Sequence, residues 1–160
     1  MMFSRIAIAG VIASATSVAA ATALIQPYMD DRSDGLALVQ SYYNALNRKE
    51  YSRAWSYYGE EKPAPDFATF EDESSVIDMV DLVVGEIVAE GAAGSIFYQI
   101  PVAIRVTKQD SSETVMAGCF VARLANPQIQ DDPFTPLHIV SDTLADATGP
   151  VEDAVPASCE

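Results

Sequence analysis

The strongest constraint on how this chain folds is a strict alternation of side chains over Ile96–Thr107. Every second residue of this segment is aliphatic or aromatic, and the residues between them form a more mixed set. Because the side chains of a strand alternate between the two faces of a sheet, this period of two predicts a long β-strand. Thr114–Ala125 has a similar length and follows the polar segment Gln109–Glu113, which predicts a hairpin. Pro101 predicts a bulge or an edge position, because proline cannot donate a ladder hydrogen bond.

Two helical patterns precede these strands. Leu36–Leu46 carries apolar residues at helical spacing, after a group of aspartates and a serine that are typical of helix N-caps. Tyr51–Tyr58 has apolar residues at positions i, i+3, i+4 and i+7, which predicts one face of a second helix. Gly59 is expected to end that helix.

Shorter segments fill the rest of the chain. Asp66 is expected to cap a short turn, and Glu71–Glu73 is expected to be an acidic loop. Val76–Val84 is rich in β-branched residues and predicts a strand. The other predicted segments are a strand at Glu86–Ala89, a turn at Gly91–Gly94, a loop at Asn126–Pro136 and a last strand at Leu137–Leu144. Because the helices precede the strands and do not alternate with them, this order predicts an α+β fold with N-terminal helices packed on an antiparallel sheet.

The N-terminus has the layout of a secretory signal peptide. Met1–Arg5 carries one positive charge, the next stretch is uncharged, and Ala21 and Ala23 suit a signal peptidase. We expect cleavage after Ala23, with Ala21 as the alternative. The competing interpretation is an uncleaved membrane anchor, because Ile6–Ile25 is about long enough to span a bilayer. Cleavage would leave a linker at 24–32, a domain at 33–146 and an acidic, proline-containing tail at 147–160, in the periplasm or outside the cell.

The acidic charge of the chain argues against two classes of partner. There are 23 acidic and 9 basic residues, for a formal net charge of −14. Nucleic acids and anionic lipid surfaces are bound through lysine and arginine, so neither is expected. No cofactor is expected either, since Gly85, Gly91 and Gly94 lack the spacing of a dinucleotide fingerprint. Two cysteines and one histidine are too few for a metal site of the zinc type.

The two cysteines, Cys119 and Cys159, predict a disulfide if the chain is exported. This bond would hold the C-terminal tail to a strand-like segment around Cys119. Two separate thiols, one buried and one in a frayed terminus, are the alternative.

The aromatic helical segments Ser41–Leu46 and Tyr51–Trp55, followed by antiparallel strands, resemble a nuclear-transport-factor-2-like domain. The resemblance covers about 33–144. It implies a cone, in which a curved sheet wraps a long helix and leaves a pocket at its open end. Members of this superfamily include ketosteroid isomerases, dehydratases, polyketide cyclases and secreted domains without known activity. It also implies that the exposed face of the sheet can pair into a homodimer.

Candidate site residues follow from these patterns. Asp78 and Asp81 lie on opposite, otherwise apolar faces of one predicted strand, so one of them could act as a base in an apolar interior. In the alternative, both carboxylates reach solvent and have no catalytic role. His138, the single histidine, is a further candidate base, although a structural or surface role is the simpler interpretation.

The aromatic residues are candidates for lining a pocket, with core packing as the alternative. The set is Tyr42, Tyr43, Trp55, Tyr58, Phe67, Phe70, Phe97 and Tyr98, of which Tyr42, Trp55, Tyr58 and Tyr98 are the selected candidates.

The sequence therefore predicts an exported binding or accessory domain that holds a small apolar ligand or a protein partner of the cell envelope. The alternative is an isomerase- or cyclase-like enzyme with a pocket aspartate as base.

Overall fold

The computed structural model describes residues 26–159 as three helices and six strands that form one antiparallel sheet. The predicted signal peptide and its cleavage site lie outside these residues. The elements are α1 (Gly35–Asn47), α2 (Tyr51–Trp55), α3 (Phe67–Ser75), β1 (Ile77–Val84), β2 (Val88–Ala92), β3 (Ser95–Lys108), β4 (Glu113–Ala125), β5 (His138–Asp142), β6 (Ala145–Ala147) and a single 3₁₀ turn at Val151–Asp153.

The predicted α+β class is confirmed: helices pack on a curved antiparallel sheet built around the β3–β4 hairpin. β4 pairs with β3 along its whole length. On the other side of β3, β1 pairs with one half and β2 with the other. β5 and β6 divide the free edge of β4 in the same way. Within the described part of the chain, no helix is both long and apolar enough to cross a membrane.

The core lies between α1 and the inner face of β3. Ile100, Val102, Ile104 and Val106, the alternating residues of the sequence pattern, all belong to the buried cluster. Helix α1 contributes the opposite wall with its residues at helical spacing. The apolar residues that alternate along β3 and those at helical spacing on α1 thus pack together in one layer.

Helix α1 is fixed at both ends. The carboxylate of Asp34 accepts a hydrogen bond from the backbone N–H of Ala37 at 2.8 Å, which caps its N-terminus. At the C-terminal end, the amide side chain of Asn47 donates to the carbonyl of Val80 and accepts from its N–H, at 2.9 and 2.7 Å. These bonds hold α1 against β1.

Three local predictions are wrong. Glu71–Glu73 lies in α3 and not in a loop, because Asp66 caps a full helix whose acidic residues face outward. Helix α2 ends at Trp55, since Gly59 donates a backbone hydrogen bond to Ile139 and draws the chain towards β5. Pro101 lies at neither an edge nor a bulge of the β3–β4 pair.

Pro101 instead occupies the point where the neighbour of β3 changes from β1 to β2. Its carbonyl accepts from the N–H of Gly85, between those two strands. The predicted last strand, Leu137–Leu144, is divided into β5 and β6. Thr143, between them, donates its backbone N–H to the carbonyl of Cys119.

The segments on either side of the predicted domain also pack against it. The backbone N–H groups of Met29 and Asp31 donate to the side chains of Asn44 and Ser41 on α1. At the other end, Val151 is buried.

The predicted disulfide between Cys119 and Cys159 is present. It ties Cys159 to β4, and the segment after β6 lies against the sheet, with Val155 beside Gly85 and Pro101.

Candidate functional site

A cavity of about 610 Å³ lies between the C-terminal halves of α1 and α3 and the sheet. We call it the helix–sheet cavity. Its rim carries the exposed side chains of Glu73, Lys108 and Asp146, and its buried end is formed by Tyr42 and Tyr43. The walls between them are mainly apolar, with Leu46, Val80, Ile104, Val106, Met116 and Leu144, and Ser74 and Thr114 add two hydroxyl groups. A volume of this size is typical of sites for small ligands.

The hydroxyl of Tyr43 is the unusual group of this cavity. The Tyr43 side chain is only 4% exposed. Within residues 26–159, its hydroxyl is the one buried side-chain oxygen or nitrogen without a hydrogen-bond partner. Burying a hydroxyl without a partner costs about 1–3 kcal/mol. The hydroxyl oxygen is enclosed by protein, so a molecule in the cavity does not contact it in this structure.

A chain of aromatic contacts connects Tyr43 to a carboxylate. The rings of Tyr42 and Tyr43 are 4.9 Å apart, and those of Tyr42 and Tyr58 are 5.5 Å apart, in edge-on geometry. The hydroxyl of Tyr58 donates to Oδ2 of Asp142 at 2.8 Å. Asp142 is the last residue of β5, so this hydrogen bond joins the segment after α2 to the edge strand β5.

The three tyrosines are held in the neutral form. Burial is the main cause that raises the pKa of Tyr42, Tyr43 and Tyr58, and the negative charge of Asp142 adds to it. At neutral pH, each hydroxyl therefore retains its proton and remains a hydrogen-bond donor.

We expect the stability of the protein to fall above about pH 10. The folded pKa of each tyrosine lies above its unfolded value, so the unfolded chain releases protons that the native state keeps. Each fully shifted tyrosine then lowers the free energy of unfolding by about 1.4 kcal/mol per pH unit. Urea unfolding between about pH 8 and 12 measures this slope. Tyr43→Phe should reduce the slope, and an identical slope in that variant would contradict the shift at Tyr43.

The structure separates the four selected pocket candidates. Tyr42 lines the helix–sheet cavity. Tyr58 is a core residue behind it. Trp55 packs edge-on against Phe67 and Tyr98 packs against Gly35, both outside the cavity lining. Tyr42 and Tyr58 both belong to the buried core, and Trp55 and Tyr98 are half-buried against it, so core packing applies to all four and cavity lining to Tyr42 alone.

Asp78 and Asp81 are both exposed on β1, and neither lines the helix–sheet cavity. A register shift between Ile77 and Met79 displaces Asp78 from the alternation that the sequence predicted. Asp81 accepts from the guanidinium of Arg105 on the neighbouring strand at 2.8 Å. This is the arrangement in which both carboxylates reach solvent, and neither lies in an apolar interior.

His138 lies in a second, larger cleft of about 750 Å³. Its Nδ1 is 2.8 Å from the carbonyl oxygen of Pro136, and since a carbonyl only accepts, Nδ1 carries the proton. The imidazole ring packs closely on Gly59: a Cβ at that position would lie only 2.5 Å from the ring. The lining of this cleft includes exposed charged side chains such as Glu60 and Arg123. Across residues 26–159, no three potential metal ligands cluster together.

Two residues of the site were not selected from the sequence. Tyr43 belonged to the wider aromatic set, and its adjacency to Tyr42 gave no reason to prefer it. Asp142 ends the short strand β5 and belongs to no motif. The signal that finds both is the hydrogen-bond pattern, which depends on contacts between distant segments.

Comparisons with known proteins leave the family of this chain open. No protein-family model matches it. No curated protein matches it either. It is similar to a solved structure of a function-unknown protein from Mycobacterium tuberculosis, with a TM-score of 0.47 and 11% sequence identity, over 74% of this chain and 72% of that one. Function is therefore inferred from the geometry of the site.

Proposed function

We propose that this protein is an exported binding domain of the nuclear-transport-factor-2-like kind, which holds a small, largely apolar molecule in the helix–sheet cavity. The observation that carries the proposal is the helix–sheet cavity itself, a space of about 610 Å³ whose walls below the charged rim are mainly aliphatic and aromatic. Export is supported by the Cys119–Cys159 disulfide, because such bonds persist in oxidising compartments.

An apolar ligand suits this wall better than water does. The polar side chains below the rim are few: Ser74 and Thr114 add hydroxyl groups to a lining that is otherwise mainly aliphatic or aromatic. A ligand with apolar surface would remove that lining from water, which is favourable.

The enzyme alternative has no comparable support. An isomerase or cyclase of the expected type needs a carboxylate base in the cavity. Glu73 and Asp146 line the cavity, but both are exposed at its rim. Asp78 and Asp81, the bases suggested by the sequence, lie elsewhere.

The other expectation was that a protein partner, or a second copy of this chain, binds the exposed face of the sheet. The outer face of β3 is already covered over part of its length. Pro101 and Ala103 are buried there, and Val155 lies against Gly85 beside them. The cavity is therefore the better-supported binding surface.

The proposal predicts that filling the cavity abolishes binding. Met116 lines the cavity on β4, so Met116→Trp should occupy part of the space and remove binding of Nile red, an uncharged apolar dye whose fluorescence rises on burial. Phe134→Trp is the matched control, because Phe134 is 57% exposed on a distant loop.

Dye binding by the wild type and by Phe134→Trp, together with its loss in a folded Met116→Trp variant, supports the proposed function. The absence of dye binding to the wild-type protein, or full binding to Met116→Trp, would contradict it. Circular dichroism establishes that each variant is folded.

A further inference from the structure

We infer that the helix–sheet cavity takes a single-chain amphiphile with a positively charged head group, whose apolar tail lies along β3 and whose head stays at the rim near Glu73 and Asp146. This inference rests on the proposed function and adds to it the chemical class of the ligand.

The tail is matched by the floor of the cavity on β3. Ile104, Val106 and Lys108 lie on the same face of that strand, and all three line the cavity. Four residues of an extended strand span about 14 Å. Over this length the lining changes from buried at Ile104 and Val106 to exposed at Lys108. The floor therefore has a closed apolar end and an end that meets solvent.

The neighbouring elements show the same change from the closed end to the mouth. On β4, Met116 pairs with Ile104 at the deeper level, and Thr114 pairs with Val106 nearer the mouth. Val76 also lines the cavity, yet 49% of it is exposed. An exposed aliphatic side chain at a cavity mouth is surface that a ligand tail would cover. Apolar walls that end in a charged mouth suit a molecule with one apolar and one polar end.

The sign of the head group follows from the side chains at the rim. Glu73 belongs to α3, Asp146 to β6 and Lys108 to the end of β3, so the mouth carries two carboxylates and one ammonium group. None of the ion pairs among residues 26–159 includes any of these three side chains. The two carboxylates are therefore available to a cation that enters from solvent.

Lys108 is itself influenced by a third carboxylate, on the β3–β4 turn. Hydrogen bonds from Ser112 are the main cause that lowers the pKa of Asp110, and the positive charge of Lys108 adds to it. The one cation of the rim is thus partly balanced by a neighbour outside the cavity. The formal net charge of −14 extends the negative potential over longer distances. A cationic head is therefore attracted to the mouth, and an anionic head is repelled.

The test compares three probes with the same tail: decylammonium, decanol and decanoate. Each is titrated against the wild-type protein with bound Nile red, at neutral pH, at low ionic strength and below the concentration at which the probe self-associates. Decylammonium is expected to bind roughly fivefold more tightly than decanoate, because each exposed charge contributes modestly. This difference should shrink in concentrated salt, where the screening length falls to about 3 Å.

Glu73→Gln combined with Asp146→Asn tests whether the rim causes this order. Both side chains are exposed, so the double variant should fold, bind decanol as the wild type does, and lose the preference for the cation. The matched control is Glu152→Gln combined with Asp153→Asn. It removes the same charge from two exposed side chains outside the cavity lining, so it should retain the preference.

The outcomes separate the two proposals. Equal binding of decylammonium and decanoate to the wild type overturns the inference but leaves apolar binding in the cavity intact. A cation preference that persists in the rim variant, or that the control loses to the same extent, also overturns it. Failure of decanol to displace the dye overturns the placement of the tail. Failure of Nile red to bind at all contradicts the proposed function itself, before any probe is compared.

Discussion

Replacing Phe120 by alanine is expected to lower the free energy of unfolding by about 3–5 kcal/mol. Phe120 is completely buried on β4, and its ring contacts the edges of Tyr42 and Tyr43, with centroids 6.1 and 6.0 Å away. Alanine would remove this apolar surface from the core and leave a void that the rigid neighbouring rings cannot close. The substitution would also loosen the buried end of the helix–sheet cavity, because Phe120 supports both tyrosines that form it.

Urea unfolding measures the effect, with Phe134→Ala as the matched control. Phe134 has the same side chain as Phe120 but is mostly exposed. Its truncation should therefore change the free energy of unfolding by less than about 0.5 kcal/mol. A loss of less than 1 kcal/mol in Phe120→Ala, or equal losses in the two variants, would contradict the placement of Phe120 at the centre of the core.

Removing the disulfide is the second large change. The double substitution Cys119→Ser and Cys159→Ser should lower the free energy of unfolding by about 4 kcal/mol in the chain-entropy description, for a loop that spans 40 residues. The cross-link limits the conformations of the unfolded chain. In the native state, it holds the C-terminal segment where Val151 is buried and Val155 packs at Gly85.

Reduction provides the control for the disulfide prediction. Under oxidising conditions, the wild type should melt at a higher temperature than the double serine variant. A reducing agent should lower the wild-type midpoint towards that of the variant and leave the variant unchanged. Equal midpoints under oxidising conditions would show that the cross-link does not stabilise the fold.

The main elements of the fold are local in origin, which is why the sequence predicts them. The alternation over Ile96–Thr107 and the helical spacing over Leu36–Leu46 each define an apolar face without reference to the rest of the chain. The structure shows both faces in contact in one core. The pairing of Cys119 with Cys159 could also be predicted from the sequence, because a chain with two cysteines has a single possible intramolecular disulfide.

Element boundaries depend on contacts that a local pattern does not contain. Glu71–Glu73 has the composition of an acidic loop, yet the same residues form the exposed face of α3 because Phe67 and Phe70 anchor that helix on Trp55. Helix α2 is cut short by a backbone hydrogen bond from Gly59 to a strand near the other end of the chain.

The sequence by itself determined the α+β class, the central hairpin, helix α1 and the disulfide, since each follows from periodicity or from the number of available partners. The tertiary structure alone decided which tyrosine is chemically unusual and which aspartates are exposed. Tyr58 meets Asp142 across 84 residues of chain, whereas Tyr43, one residue from Tyr42, has no hydrogen-bond partner among residues 26–159. Whether a side chain is buried and hydrogen-bonded depends on the residues packed around it, and these come from segments that are distant in the sequence.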